Sequence, residues 1–289
     1  RTSASGKEIA EAIMEELGSP EHDLTALLTA PAHVLEIATG RALNNLRAKG
    51  LTVGWGPRNN GWYKGYIGYN EVCEHQKSIP TIFGTEIMEF GRIGVDDPNA
   101  VPEEDRARIV KERFGEEDGR KLIELYQKAY PGVNILQSLA LDVAFRPTTK
   151  EMIKKRVEAG CAPTYNYIVT LEFPIDSGVR AWHGADMAFA FAKTAEGPVY
   201  HFGDGTEERV QAQFCRAFTN FAKTGDPNHA LLPEWKPCTS SELVTMIFDR
   251  EADARVNFDD ELLAHFQSIA PAFNMVFPAL PNDPKRWPW

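Results

Sequence analysis

The chain has 289 residues, of which 43% are hydrophobic and 25% charged, with a net charge of −10 at pH 7. That is an ordinary globular composition, with enough chain for one large core. The charge argues against nucleic acid or an anionic membrane as the main partner, and no apolar run approaches the ~18–20 residues of a membrane span.

Taken in order, the chain begins with helices. Ser5-Gly6-Lys7-Glu8 reads as a capping box, followed by Ile9, Ile13, Met14 and Leu17 at helical spacing, with a stop at Gly18 and Pro20. Asp23 opens a shorter helix that ends before Pro31, and a third helix runs from Pro31 to about Gly50. Residues 54–69 alternate glycines with Trp55, Trp62, Tyr63, Tyr66 and Tyr69. They read as a long ordered loop, with a ring- or sugar-binding platform as the alternative. Ile79–Thr85 is apolar, β-branched and closed by glycine, as a buried strand of a parallel sheet would be. A proline- and acid-rich linker at 96–105 leads to expected helices over 104–114, 117–130, 134–145 and from Pro147 to Gly160. Tyr165–Phe173 is the clearest strand. Val210, Phe214, Phe218 and Phe221 predict an amphipathic helix closed by Gly225. Leu243–Phe248 is a third strand, Asp259 opens a last helix through Ile269, and the tail to Trp289 is irregular.

Three strands separated by helical inserts point to an α/β fold. Three strands alone leave an exposed edge, so the expectation is that they are the last strands of a larger sheet whose earlier strands lie upstream of Arg1. The start at Arg1 rather than Met fits a processed or truncated product, with no signal peptide in view and no compartment to be read. Cys73, Cys161, Cys215 and Cys238 are widely spaced, without a Cys-x-x-Cys pair. Free thiols are preferred over disulfides, and zinc or thioredoxin chemistry is not expected. His22, His33, His75, His201, His229 and His265 have no metal-type partner at i+3 or i+4, so neither a metal nor a cofactor is expected.

Two residues stand out. Glu89 follows the Ile79–Thr85 strand by a few residues, where functional groups collect beyond the carboxyl ends of strands. Glu86 is its local competitor. His183 lies between Trp182 and Gly184 in a turn where a substrate or nucleophile could approach closely. An acid followed much later by a histidine has the chain order of the second and third members of a Ser-Glu-His triad. The blander readings, a surface glutamate and a packing histidine, stay open on position alone. The first triad member has no counterpart, because no Gly-x-Ser-x-Gly occurs in these residues.

A resemblance sharpens this reading. Ile79-Pro80-Thr81-Ile82-Phe83-Gly84-Thr85, with Glu89 five positions after Gly84, resembles the acid-bearing strand of the type-B carboxylesterases, the family of cholinesterases and para-nitrobenzyl esterases. The family usually has Gly after that acid, where this chain has Phe90. Trp182-His183-Gly184-Ala185-Asp186 is similar to the family's His-Gly-x-Glu/Asp block. Asn220-Phe221-Ala222-Lys223-Thr224-Gly225-Asp226-Pro227-Asn228 matches a structural motif of the family, continued by Pro233-Glu234-Trp235-Lys236-Pro237.

The resemblance implies that residues 1–289 are the C-terminal portion of one α/β-hydrolase domain whose N-terminal half is absent. It implies a serine-type carboxylic ester hydrolase acting on small-molecule esters, with Glu89 as the acid, His183 as the base and the serine outside this chain. Trp182, Met187 and Phe189 are candidate walls of a substrate pocket. The isolated chain is expected to turn over nothing by itself. The alternative is a non-catalytic cholinesterase-like binding or adhesion module, or an inactive fragment.

Overall fold

The computed structural model describes residues 3–19, 23–53, 72–175 and 178–270. The aromatic–glycine stretch at 54–69 and the tail after 270 therefore lie outside the described residues. The chain divides into two compact units, one of residues 1–63 with 274–289 and one of residues 64–273.

The first unit contains the helices α1 (Gly6–Glu16), α2 (Thr25–Thr29) and α3 (Ala32–Ala48). The capping box forms as the sequence predicts. The Glu8 N–H donates to Ser5 Oγ at 3.1 Å, and the Ser5 N–H donates to Glu8 Oε2 at 2.7 Å. Ile9 and Ile13 of α1 pack with Ala38, Ala42 and Leu46 of α3 in a small core of their own.

The second unit opens with the one-turn helix α4 (Glu74–Lys77) and strand β1 (Thr81–Glu86). Then come α5 (Glu103–Phe114), α6 (Glu116–Ala129), a 3₁₀ segment at Ile135–Ala140, α7 (Arg146–Glu158) and β2 (Thr164–Val169). The short helix α8 (Met187–Ala190) and the long α9 (Thr206–Thr224) precede β3 (Val244–Phe248), β4 (Asp253–Val256) and α10 (Asp260–Ile269). The sheet has the order β1-β2-β3-β4. β1, β2 and β3 run parallel, with Gly84 opposite Tyr167 and Tyr167 opposite Met246, and β4 returns antiparallel to β3.

The alternation of β2 explains the layers. Tyr165, Tyr167 and Val169 face one side, where they join Val244, Met246 and Phe248 and pack under Val210, Phe214 and Ala217 of α9. Ile168 and Ile247 face the other side, against Val110 of α5, Leu122 and Tyr126 of α6 and Leu262 and Phe266 of α10. Both faces are covered, as a mostly parallel sheet requires.

Three local readings differ from the sequence expectation. The stretch 134–145 is not an α-helix. A 3₁₀ segment ends at Ala140, and the Asp142 carboxylate accepts the N–H groups of Ala144, Phe145 and Arg146 in the turn that leads into α7. Ladder pairing of β2 stops at Val169, although Leu171 and Phe173 continue the buried alternation. β4 is an added strand, too short for a period to register. Its Arg255 pairs with Asp253 at 2.6 Å, and such charges blunt an edge strand. All four cysteines are free, with Cys238 buried.

Two features fix the end of β1. Gly84 lies against the Tyr167 ring so closely that a Cβ there would sit 1.7 Å from Cζ. Behind the strand, Arg146 of α7 donates to Asp259 at 2.5 Å, with Lys150 at 2.8 Å. Burial would raise the Asp259 carboxyl, but Arg146 and Lys150 outweigh it and hold the group below its ordinary range. We expect Gly84→Ala to lower unfolding stability by about 2 kcal/mol or more, because the ring has nowhere to retreat. Gly6→Ala, whose Cβ meets nothing within 4 Å, should stay within about 0.5 kcal/mol of the parent. Urea unfolding of the two variants checks this.

Candidate functional site

The site forms where the chain leaves β1. Residues 87–89 continue past the strand and pair with the segment before His183. The Met88 N–H donates to the Ala181 carbonyl at 3.1 Å, and the His183 N–H donates to the Glu89 carbonyl at 3.0 Å. A parallel bridge joins Glu89 to Trp182. This pairing brings together two residues 94 positions apart in sequence: His183 Nδ1 lies 2.6 Å from Glu89 Oε2. The other carboxylate oxygen, Oε1, accepts the Glu86 N–H at 2.9 Å. Glu89 itself has a left-handed backbone, with φ of 46°, a conformation that costs a non-glycine residue of order 1 kcal/mol or more.

Glu89 is 7% exposed. Burial is the largest influence on its carboxyl and pushes it above the ordinary value, with the nearby Asp142 acting the same way. The hydrogen bonds from the Glu86 N–H and from His183 oppose that shift by favouring the carboxylate. A carboxylate can only accept, so the imidazole proton sits on Nδ1 and the neutral ring presents Nε2 as its base. Among the described residues Nε2 has no hydrogen-bond partner, and the His183 side chain is 52% exposed. The buried acid thus stands behind an accessible imidazole.

Two aromatic rings set the plane of that imidazole. Phe90 lies 4.5 Å from it between centroids, and Phe145 stacks at 5.3 Å with an interplanar angle of 24°. Phe145 directly precedes α7, and its N–H donates to Asp142 Oδ2 at 2.9 Å. Gly184, with φ of 81°, lets the chain turn into α8 directly after the histidine.

Of the expected pocket residues, Met187 is largely exposed at 60%. Trp182 is half-buried against Phe173, at 4.6 Å between centroids. Phe189 is fully buried and packs against Phe173 and Tyr200, a core position. Among the described residues no group of three His, Cys, Asp or Glu side chains is placed to hold a metal ion. No helix among them is long and apolar enough to cross a membrane.

A family model for the carboxylesterase family matches residues 70–264, more than half of the chain. The chain belongs to the carboxylesterase family. Among solved structures it is similar to an esterase of Clostridium hathewayi that can hydrolyse aliphatic aromatic polyesters, at 31% identity and a TM-score of 0.81, covering 93% of this chain and 53% of that one. A carboxylesterase of Geobacillus stearothermophilus shares the fold at 22% identity and a TM-score of 0.56, covering 90% and 54%. The juvenile hormone esterase of Manduca sexta does so at 19% and 0.52, covering 90% and 55%. The chain spans about half the length of these carboxylesterase structures, and its mixed sheet with flanking helices is the corresponding part of their α/β fold.

Sequence reading reached Glu89, His183 and Glu86 but not the supporting contacts. Asp142 was accessible as a helix-start signal, an Asp shortly before Pro147. The roles of Phe145 and Tyr167 depend on packing and leave no local mark.

Glu86 is buried to 2% exposure. Burial first, then the Asp186 carboxylate, raise its carboxyl well above the ordinary value of 4.5. The sign of the resulting pH effect follows from proton counting. Above the ordinary value the unfolded chain has lost this proton while the fold keeps it, so stability falls as pH rises, until the buried group itself ionises. Glu86→Gln removes this slope. Its stability relative to the parent should therefore rise steadily from pH 5 upward in chemical denaturation, whereas parallel curves would contradict the assignment.

Proposed function

We propose that this chain supplies the acid and the base of a serine-type carboxylic ester hydrolase. The observation that carries the reading is the 2.6 Å contact between buried Glu89 and the half-exposed His183, which leaves Nε2 free to work. In this reading a serine outside residues 1–289, in an N-terminal half of the same protein, attacks the ester carbonyl. His183 Nε2 takes the hydroxyl proton as the bond to carbon forms. Glu89 holds the tautomer and stabilises the imidazolium. When the tetrahedral intermediate collapses, His183 returns that proton to the leaving alcohol. The acyl group left on the serine is then attacked by a water that gives up its proton to Nε2. As the bond from the acyl carbon to the serine oxygen breaks, Nε2 returns that proton to the serine and the acid is released. Donors that stabilise the oxyanion come from the other half.

The substrate is a small-molecule ester, as carboxylesterase membership supports. Met187 is the candidate pocket wall with an exposed apolar side chain. Trp182 is half-buried against Phe173, and Phe189 lies in the core between Phe173 and Tyr200. Phe90 and Phe145 set the imidazole plane from which the proton moves. Residues 1–289 contain no Gly-x-Ser-x-Gly, and in this reading the chain by itself turns over nothing.

Kinetics of the intact protein on a p-nitrophenyl ester test the roles. His183→Ala should lower kcat by at least about 10³-fold, since triad members act as a unit. Glu89→Gln keeps the shape of the acid but loses the charge that fixes the tautomer, and should cost about 10³–10⁴-fold with little change in KM. Near-parental turnover in either variant would remove that residue from the mechanism.

A further inference from the structure

Beneath the His183 turn lies a second pair of acids. Glu86 ends β1 and Asp186 ends the turn. The Asp186 N–H donates to Glu86 Oε1 at 2.9 Å. Tyr167, from the middle of β2, donates its hydroxyl to Asp186 Oδ2 at 2.6 Å. Tyr200 donates to the Ala185 carbonyl at 3.1 Å. Through its own N–H, Glu86 also holds Glu89 Oε1. One residue therefore grips both halves of the Glu89–His183 pair. Its main chain fixes the acid, and its side chain fixes the turn that carries the base.

We propose that Glu86 is a positioning residue of the His183 site, whose carboxyl group clamps the histidine-bearing turn to the end of β1. This rests on the hydrolase reading above for its catalytic consequence, but the clamp itself is a matter of structure.

The chemistry of the surroundings says in which form the clamp works. The titratable groups acting on Glu86 are Asp186 from the turn, Glu89 beyond its own strand, and Tyr167 and Tyr200 from the elements packed over it. Glu86 Oε2 has no hydrogen-bond partner among the described residues. A second negative charge on the buried Glu86 would face the carboxylate of the partly buried Asp186. A neutral carboxylic acid instead accepts the Asp186 N–H on Oε1 and carries its proton on Oε2, so that no second charge stands beside Asp186. The Tyr167 phenol is likewise held well above its ordinary value, by burial and then by Asp186, and stays a donor. Gly84 is part of the same device, because the Tyr167 ring passes over the strand where a side chain would otherwise be.

A glutamine imitates a neutral glutamic acid and not a carboxylate, so two variants of the intact protein separate the possibilities. Glu86→Gln should keep kcat within about threefold of the parent. Glu86→Leu fills the space without the clamp and should lower kcat about 10–100-fold at nearly constant KM, the cost of a misplaced base. The downfield proton resonance of His183 Nδ1–H, assigned by its loss in His183→Ala, should persist in Glu86→Gln and broaden or vanish in Glu86→Leu. The infrared carbonyl stretch of a protonated carboxyl should be present in the parent at pH 7 and absent from Glu86→Gln, a comparison that does not depend on whether Glu86→Leu folds.

Unchanged kcat and resonance in Glu86→Leu would overturn the clamp. So would a loss in Glu86→Gln as large as in Glu86→Leu, or the absence of the infrared band. If no variant hydrolysed esters while the resonance still followed Glu86, the hydrolase reading would fall and the clamp would stand.

Discussion

The arrangement around Glu89 depends on one constraint: a buried carboxylate with both oxygens committed. Oε1 is held by the Glu86 N–H and Oε2 by His183 Nδ1. Neither bond would suffice alone. A carboxylate out of water costs several kcal/mol unless its lone pairs are met. The backbone pairing of residues 88–89 with 181–183 places the donors before the side chains choose rotamers. The left-handed turn at Glu89 is part of the same constraint, because it swings the side chain back toward the end of the strand from which it came.

The sheet makes that pairing possible. β1 and β2 are parallel neighbours in register from Thr81 and Thr164, so both chains leave the sheet at the same end. Functional groups collect there in α/β folds because helices and loops, not further strands, follow. The near contact of Gly84 with Tyr167 draws the two strands' side-chain layers together, and Tyr167 then reaches Asp186 behind the histidine. On the far side, the turn held by Asp142 ahead of α7 places Phe145 against the imidazole, while Phe90 covers it from the β1 side. A glycine at position 90 would leave that side of the ring without its aromatic neighbour.

Much of this was legible in the order of residues. Runs such as Ile79–Thr85 and Tyr165–Phe173 declare strands by their β-branched and aromatic content, although the second pairs only as far as Val169, and Val210, Phe214, Phe218 and Phe221 declare α9 by their period. Glu89 and His183 could be singled out because the acid follows a strand by a few residues, the histidine lies in a glycine-flanked turn, and the two stand in the chain order of a triad's acid and base. What stayed hidden depends on contacts distant in sequence. β4 is four residues long and defined by its partner β3. Phe189 has the composition of a pocket wall, and Phe173 and Tyr200 place it in the core instead. Glu86 reads as one more acid after a strand, and its contact with the Asp186 N–H exists only once Asp186, 100 positions away, is folded against it.

The central claim is that Glu89 and His183 serve a serine that is not among residues 1–289. Reaction of the intact protein with a fluorophosphonate, followed by peptide mass spectrometry, addresses this directly. A single adduct on a serine outside this chain is expected, lost when His183 is replaced by alanine. An adduct on a serine or threonine within residues 1–289 would contradict it.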